Sequence, residues 1–192
     1  MATGRISQQW AFGGLGALGG VAWAAGLRAY MWQISGTPHV DWVGTFGAIL
    51  LPGAVCGALL GVAEARRRSG VTRGLRWFAL APLAFAVAPL SIPGALWTFL
   101  TTGMGGGAVG VSLMAIGGGF ALGRSGPAWS RMVTGVLALA LFCGITATVP
   151  LIGGESLALT TPRGAWVAVL VATLLAVIAL ASSIPFRATK GG

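Results

Sequence analysis

The sequence predicts an all-α integral membrane protein, a Gly-rich bundle of six transmembrane helices with both termini in the cytoplasm. Hydrophobic residues make up 56% of the 192 residues and charged residues only 8%, whereas about a quarter of the residues in a soluble domain are charged. The chain also contains six apolar runs near the 20 residues or so that a helix needs to cross a bilayer. We therefore expect one polytopic membrane domain and no separate soluble domain.

Six segments are predicted to span the membrane. Only a Thr/Gly-rich stretch, residues 101–107, separates the third span from the fourth. The first run follows Arg5 and contains Ala-Trp-Ala at 22–24, as a signal peptide does before its cleavage site. Its length and glycine content favour an uncleaved helix. The predicted spans are residues 10–29, 43–63, 77–98, 105–123, 132–151 and 165–183.

Basic residues predict the orientation of the bundle, because cytoplasmic loops are enriched in Lys and Arg. With the N-terminus inside, ten of the twelve basic residues fall in cytoplasmic segments, and only Arg28 and Arg163 fall outside. Seven of the eight tryptophans fall near predicted span ends, where tryptophan prefers to lie. Trp23 is the exception, since it lies inside the first span.

Glycine is the second organising feature, with 33 residues. Gly53, Gly57 and Gly61 recur every four residues in the second span, so they lie along one face of a helix. Small residues at this spacing allow two helices to approach closely in lipid. We expect Gly57 to face another helix of the same chain, although a seam between two copies of the chain is also compatible with the pattern.

Three prolines, Pro82, Pro89 and Pro93, fall in the third span. Each removes a backbone donor and favours a kink. Kinked helices can form a cavity or a hinge in transporters, but proline is also tolerated in ordinary membrane helices. A small permease or channel with a kinked third helix is therefore one functional alternative.

A polar segment, residues 28–45, separates the first two spans and contains the only histidine and the only tyrosine. His39 and Asp41 offer a base and a carboxylate two residues apart, which makes them the candidates for catalysis. Asp41 also fits as the N-cap of the second helix, so we assign no catalytic residue. We expect an ordered outer cap with Arg28 paired to Asp41 or Glu155. The predicted outer binding residues are Arg28, Tyr30, His39, Asp41, Glu155 and Arg163.

We expect neither a metal nor a cofactor. The single histidine and three acids make a metal site improbable, and Cys56 and Cys143 lie far apart inside apolar runs. The net charge of +9 does not indicate nucleic-acid binding, because the basic residues sit between and beyond the spans. The cluster of Arg66, Arg67 and Arg68 is instead expected to contact anionic lipid headgroups.

No Asp, Glu, Lys, Arg or His falls in the middle of any predicted span, although proton relays and ion paths usually contain one. This favours a non-catalytic membrane protein, structural or accessory to a membrane complex or the envelope, with a membrane-protein partner or a homo-oligomer as its assembly. The arginine-rich, asparagine-free composition suggests a bacterial cytoplasmic membrane. Besides the permease, an enzyme acting on an extracytoplasmic or lipid-linked substrate is the third alternative.

The predicted orientation places Ser69 and Ser156 on opposite sides of the membrane. Single cysteines at these positions, in a chain with Cys56 and Cys143 replaced, should react with an impermeant thiol reagent from opposite sides. Reaction of both cysteines from the same side would contradict the six-span arrangement.

Overall fold

The computed structural model describes residues 2–36, 40–91, 94, 97 and 106–187, with the side chains of residues 2–6 and 89 outside that description. The described chain is all-helical and contains no sheet, which confirms the predicted class. A π-helix, Trp42–Leu50, precedes α2, and a 3-10 helix, Leu75–Leu83, precedes α3. Two short 3-10 helices follow α5 and α6, at Gly154–Leu157 and Ile184–Phe186. The α-helices are α1 (Ala2–Ser35), α2 (Leu51–Arg68), α3 (Ala84–Leu90), α4 (Gly106–Leu122), α5 (Ala128–Gly153) and α6 (Pro162–Ser182).

Four helical segments of the described chain are long and apolar enough to cross a membrane. They coincide with the first, second, fifth and sixth predicted spans. Two shorter apolar helices, Leu75–Ala88 and Gly106–Leu122, lie within or overlap the third and fourth predicted spans. The third predicted span, 77–98, is continuously helical as far as Leu90, only Gly94 and Trp97 of it are described beyond Ser91, and Pro93 lies outside the described residues. The four long segments are Ser7–Ser35, Trp42–Arg68, Ala128–Leu157 and Pro162–Phe186.

Helices α1 and α2 meet through their backbones at glycines. A Cβ added to Gly57 would overlap the carbonyl group of Gly16, and one added to Gly20 would overlap the carbonyl group of Gly53. By contrast, a Cβ on Gly14, on another face of α1, would meet nothing within 4 Å. The expectation that Gly57 faces another helix at close range is therefore confirmed, and that helix belongs to the same chain.

Helix α1 continues beyond the predicted end of its span. It runs to Ser35, six residues past the predicted end of the first span at residue 29, so the first part of the polar segment is helix. No glycine or proline interrupts the helix between Arg28 and Ser35. It stops at Gly36, whose φ is +68° and whose N–H bonds the Trp32 carbonyl at 3.1 Å. Glycine at this position is the usual helix stop, because it adopts positive φ without a Cβ penalty.

Trp23 joins three helices inside the bundle. Its indole N–H donates to the Leu174 carbonyl of α6 at 2.7 Å, and its ring packs edge-on against Phe85 of α3 with centroids 5.0 Å apart. An indole N–H without a partner would be costly in an apolar interior. This contact explains why one tryptophan lies inside a span and not at an interface.

The third helical segment begins as a 3-10 helix with Pro82 inside it. Proline has no backbone N–H, so it cannot supply the α-helical hydrogen bond at this point. The buried Ser112 Oγ of α4 lies 2.8 Å from the Pro82 carbonyl and 2.9 Å from the Ala108 carbonyl, so these two acceptors share its one proton. The proline is thus packed and hydrogen-bonded within the core.

Candidate functional site

The described members of the predicted outer cluster gather around the C-terminal half of α1. Arg28 Nε donates to Thr45 Oγ1 of the π-helix at 3.3 Å. On another side of α1, Tyr30 contacts Thr148 of α5. The end of the bundle that carries Arg28, Tyr30, Asp41 and Arg163 is called the Tyr30 end below.

Tyr30 forms a buried hydrogen bond between α1 and α5. Its hydroxyl lies 2.6 Å from Thr148 Oγ1, and the tyrosine is only 5% exposed. Thr148 Oγ1 in turn donates to the Ile145 carbonyl at 2.6 Å. Each hydroxyl has one proton to donate. Since Thr148 donates its proton to the Ile145 carbonyl, Tyr30 is the donor in its bond with Thr148. This chain of bonds joins two helices.

Asp41 is the N-cap of the π-helix that leads into α2. Its Oδ2 accepts a hydrogen bond from the Gly44 backbone N–H at 2.6 Å. The backbone of Asp41 is extended, with φ −131° and ψ 159°, as is typical of an N-cap residue. The N-cap interpretation is therefore confirmed. His39, the other half of the proposed catalytic pair, lies outside the described residues.

Glu155 and Arg163 occupy separate places at the Tyr30 end. Glu155 is exposed in the 3-10 helix after α5 and forms no ion pair with any described residue, so it is not the partner of Arg28. Arg163 is exposed in the first turn of α6 and donates to Gln33 Oε1 of α1 at 2.8 Å. Thr161 caps α6 by accepting the Gly164 N–H at 3.0 Å.

The opposite end of the bundle carries the predicted headgroup cluster. Glu64 accepts from Arg67 Nη2 and from Arg68 Nε, each at 2.7 Å. The guanidinium of Arg66 lies over the Phe78 ring, 5.2 Å from its centroid. All three arginines of the cluster therefore make contacts within the protein, which sequence spacing alone did not indicate.

A second group of arginines at the same end was missed by the sequence analysis. Four of them line one cavity of about 700 Å³. They come from the loop after α2, the turn after α4 and the segment after α6, so they are distant in sequence and only the fold brings them together. This end of the bundle is called the Arg124 end below. The cavity arginines are Arg73, Arg76, Arg124 and Arg187.

Comparisons of the chain with protein-family models, with curated proteins and with solved structures find no match. Within the described residues, no three of His, Cys, Asp and Glu lie close enough to hold a metal ion. The described chain is nevertheless all-helical, and four of its helices are long and apolar enough to cross a membrane, which suggests a membrane protein. Its two ends differ in chemistry: the Tyr30 end is built from hydrogen-bonded joints, and the Arg124 end is strongly basic.

Replacement of Asp41 distinguishes a helix cap from a catalytic carboxylate. Asp41→Ala should destabilise the purified protein by about 1 kcal/mol, the usual cost of losing a cap, whereas Asp41→Asn should cost much less because asparagine also caps helices. Thermal unfolding in detergent measures both effects. If Asp41→Asn is as damaging as Asp41→Ala, the negative charge and not the cap is what matters at this position.

Proposed function

We propose that this chain is a non-catalytic, multi-pass protein of the bacterial cytoplasmic membrane, structural or accessory to a membrane complex or the envelope. In this proposal it crosses the membrane six times, with both termini and the Arg124 end in the cytoplasm. The proposal rests on the path of the helices, on the contacts of the polar residues and on one exposed helix face.

The path of the chain supports six crossings. Helix α1 runs from the Arg124 end, where Arg68 lies over Phe12, to the Tyr30 end. The two shorter helices connect the same ends, since the 3-10 helix starts beside the basic cavity and α3 packs against the π-helix that Asp41 caps. The 17 residues of α4 extend about 25 Å, so a slightly thinned bilayer accommodates it.

The charge difference between the ends supports the orientation. Eight of the arginines whose side chains are described belong to the Arg124 end, and two belong to the Tyr30 end. Cytoplasmic loops carry such an excess of arginine. Trp77 and Trp129 are also exposed at the Arg124 end, as expected of residues at the membrane–water interface.

The contacts of the Tyr30 end support a structural role. Tyr30 joins α1 to α5, Arg163 joins α6 to α1, and Asp41 starts the helix before α2. Each side chain is used to fix two parts of the bundle to each other or to begin a helix. A substrate that required these groups would have to displace contacts that the fold itself uses.

The observation that carries the accessory role is the exposed face of α5. Only Ala138 and Val149 of its 26 residues are buried. A row of small residues, Ala140, Gly144 and Ala147, is exposed along the middle of the helix together with Cys143. Small residues on a lipid-exposed face allow the backbone of a second helix to approach closely.

The permease alternative depends on the third helical segment. Pro82 there is buried and its carbonyl is bonded to Ser112, which favours a packed joint over a moving gate. The alternative of an enzyme on an extracytoplasmic substrate depends on His39 and Asp41, and the capping bond of Asp41 competes with a catalytic role. Both alternatives rank below the accessory role for these reasons.

A photo-crosslinking amino acid at position 140 tests the α5 face in intact membranes. We expect a discrete protein adduct at this position, because the small residues seat a partner helix against it. Adduct mass identifies a second copy of the chain or a different protein. Gly144→Leu should remove the adduct, since the larger side chain blocks the close approach.

Val169 on α6 provides the matched control, because it is an exposed apolar residue in the middle of another helix. Crosslinking there should yield lipid adducts only. Lipid adducts alone at both positions would contradict the proposal that α5 contacts a partner.

A further inference from the structure

The basic cavity at the Arg124 end is built from three separate segments. Its walls come from residues 72–76, 124–125 and 185–187, and its volume is about 700 Å³. Four arginines line the cavity, and no acidic residue is among its other lining residues. The four arginines are exposed around an open depression, so water and salt screen their charges in part, and the shared positive charge attracts an anion.

The charges of the cavity are not neutralised by the protein. Within the described part of the chain, no carboxylate pairs with Arg73, Arg76 or Arg124. The acid at this end, Glu64, is already bonded to two arginines outside the cavity. Arg187 is fixed in place, because its Nε donates to Ser183 Oγ at 2.9 Å.

The turn that presents Arg124 is fixed by packing. Arg124 has a φ of +62°, the only positive φ at a non-glycine residue in the described chain. The glycine before it, Gly123, lies so close to Phe186 that a Cβ would overlap that side chain. Phe186 itself packs edge-on against Phe120, with centroids 5.3 Å apart. The turn that presents Arg124 is therefore packed closely against Phe186, a residue of the cavity wall.

The chemistry of the cavity selects a phosphate group. Guanidinium groups bind phosphate through paired, planar hydrogen bonds, and ligand pockets of this volume hold molecules larger than a single ion. The cavity also lies at the end of apolar helices and beside the exposed Trp77. That is the level at which the phosphates of a bilayer leaflet lie.

An apolar groove begins next to the cavity. It has a volume of about 420 Å³ and is lined by α1, α2 and α6, including Leu15, Trp23 and Val177. Ile184 lines this groove, and the next two residues, Pro185 and Phe186, line the basic cavity. The groove therefore offers a hydrocarbon chain an apolar surface within one helical turn of the phosphate site. A soluble phosphate compound has no hydrocarbon chain to place in this groove.

We propose that the cavity of Arg73, Arg76, Arg124 and Arg187 binds the phosphate headgroup of an anionic phospholipid, with an acyl chain of the same lipid in the groove between α1, α2 and α6. The lipid comes from the cytoplasmic leaflet, a placement that rests on the orientation given under the proposed function. The binding site itself does not depend on whether α5 contacts a partner.

Native mass spectrometry of the purified full chain, in detergent mixed with phosphatidylglycerol and phosphatidylcholine, tests the site. The wild-type chain should retain one phosphatidylglycerol in preference to phosphatidylcholine. The double variant Arg76→Gln with Arg124→Gln should bind it about 30-fold more weakly, because each arginine near an anionic headgroup contributes a factor of roughly five. The matched control, Arg66→Gln with Arg131→Gln, removes the same charge from the same end and should retain the lipid, because these arginines contact the Phe78 ring and the Ala121 carbonyl, which line neither the cavity nor the groove.

Equal loss of the lipid from both double variants would overturn the proposal in favour of general attraction to a basic surface. A wild-type chain without preference for phosphatidylglycerol would also overturn it. Inorganic phosphate at millimolar concentration should not displace the lipid, and displacement would show that the cavity takes free phosphate. If the double variant fails to fold, the single variant Arg73→Gln, in an exposed turn, should show a loss of about fivefold, and unchanged binding there would contradict the site.

Discussion

The backbone contact between α1 and α2 is the constraint on which the rest of this structure depends. Gly16 and Gly20 of α1 meet Gly53 and Gly57 of α2 without any side chain between them. Lipid supplies no hydrophobic force to press two apolar helices together, so van der Waals contact at this distance stabilises the pair. With the two helices in this register, one side of the α1–α2 pair forms two walls of the apolar groove, and α6 forms the third wall.

The consequences of that register extend to both ends of the bundle. At one end it brings Arg68 over the Phe12 ring, with centroid and guanidinium 4.9 Å apart. At the other it brings Arg28 to Thr45. Helix α1 is long enough to reach both ends of the bundle. Between the ends, the Trp23 indole N–H donates to the Leu174 carbonyl of α6. A single long helix thus contacts α2, α5, α6 and the π-helix.

Features that depend on local sequence could be predicted. The low charge content indicated the helical membrane class, the spacing of Gly57 and its neighbours indicated a helix contact, and the position of Asp41 before an apolar run indicated a cap. Each follows from residues close together in the chain. The predicted first span ends at residue 29 because polar residues follow it, whereas α1 continues to Ser35 and its stop signal comes only at Gly36.

Features that depend on distant residues could not be predicted. Nothing in the sequence pairs Tyr30 with Thr148, and nothing groups Arg73 with Arg124, because these contacts follow from how the helices are placed. The outer residues were predicted to form an ordered cap, and among the described ones Tyr30 contacts Thr148 whereas Arg163 contacts Gln33. The basic cavity, by contrast, arises from arginines that the sequence assigned only to loops.

A disulfide between α1 and α2 tests the register of the glycine contact most directly. A Cβ at Gly13 would lie 3.4 Å from Val62 Cγ2, so the two positions face each other in direct contact across the helix pair. In a chain with Cys56→Ala and Cys143→Ala, the pair Gly13→Cys with Val62→Cys should form an intrachain disulfide in membranes under mild oxidation. The pair Gly14→Cys with Val62→Cys should remain reduced, since Gly14 faces open space. Equal oxidation of the two pairs, or oxidation of the Gly14 pair alone, would contradict the register on which this structure depends.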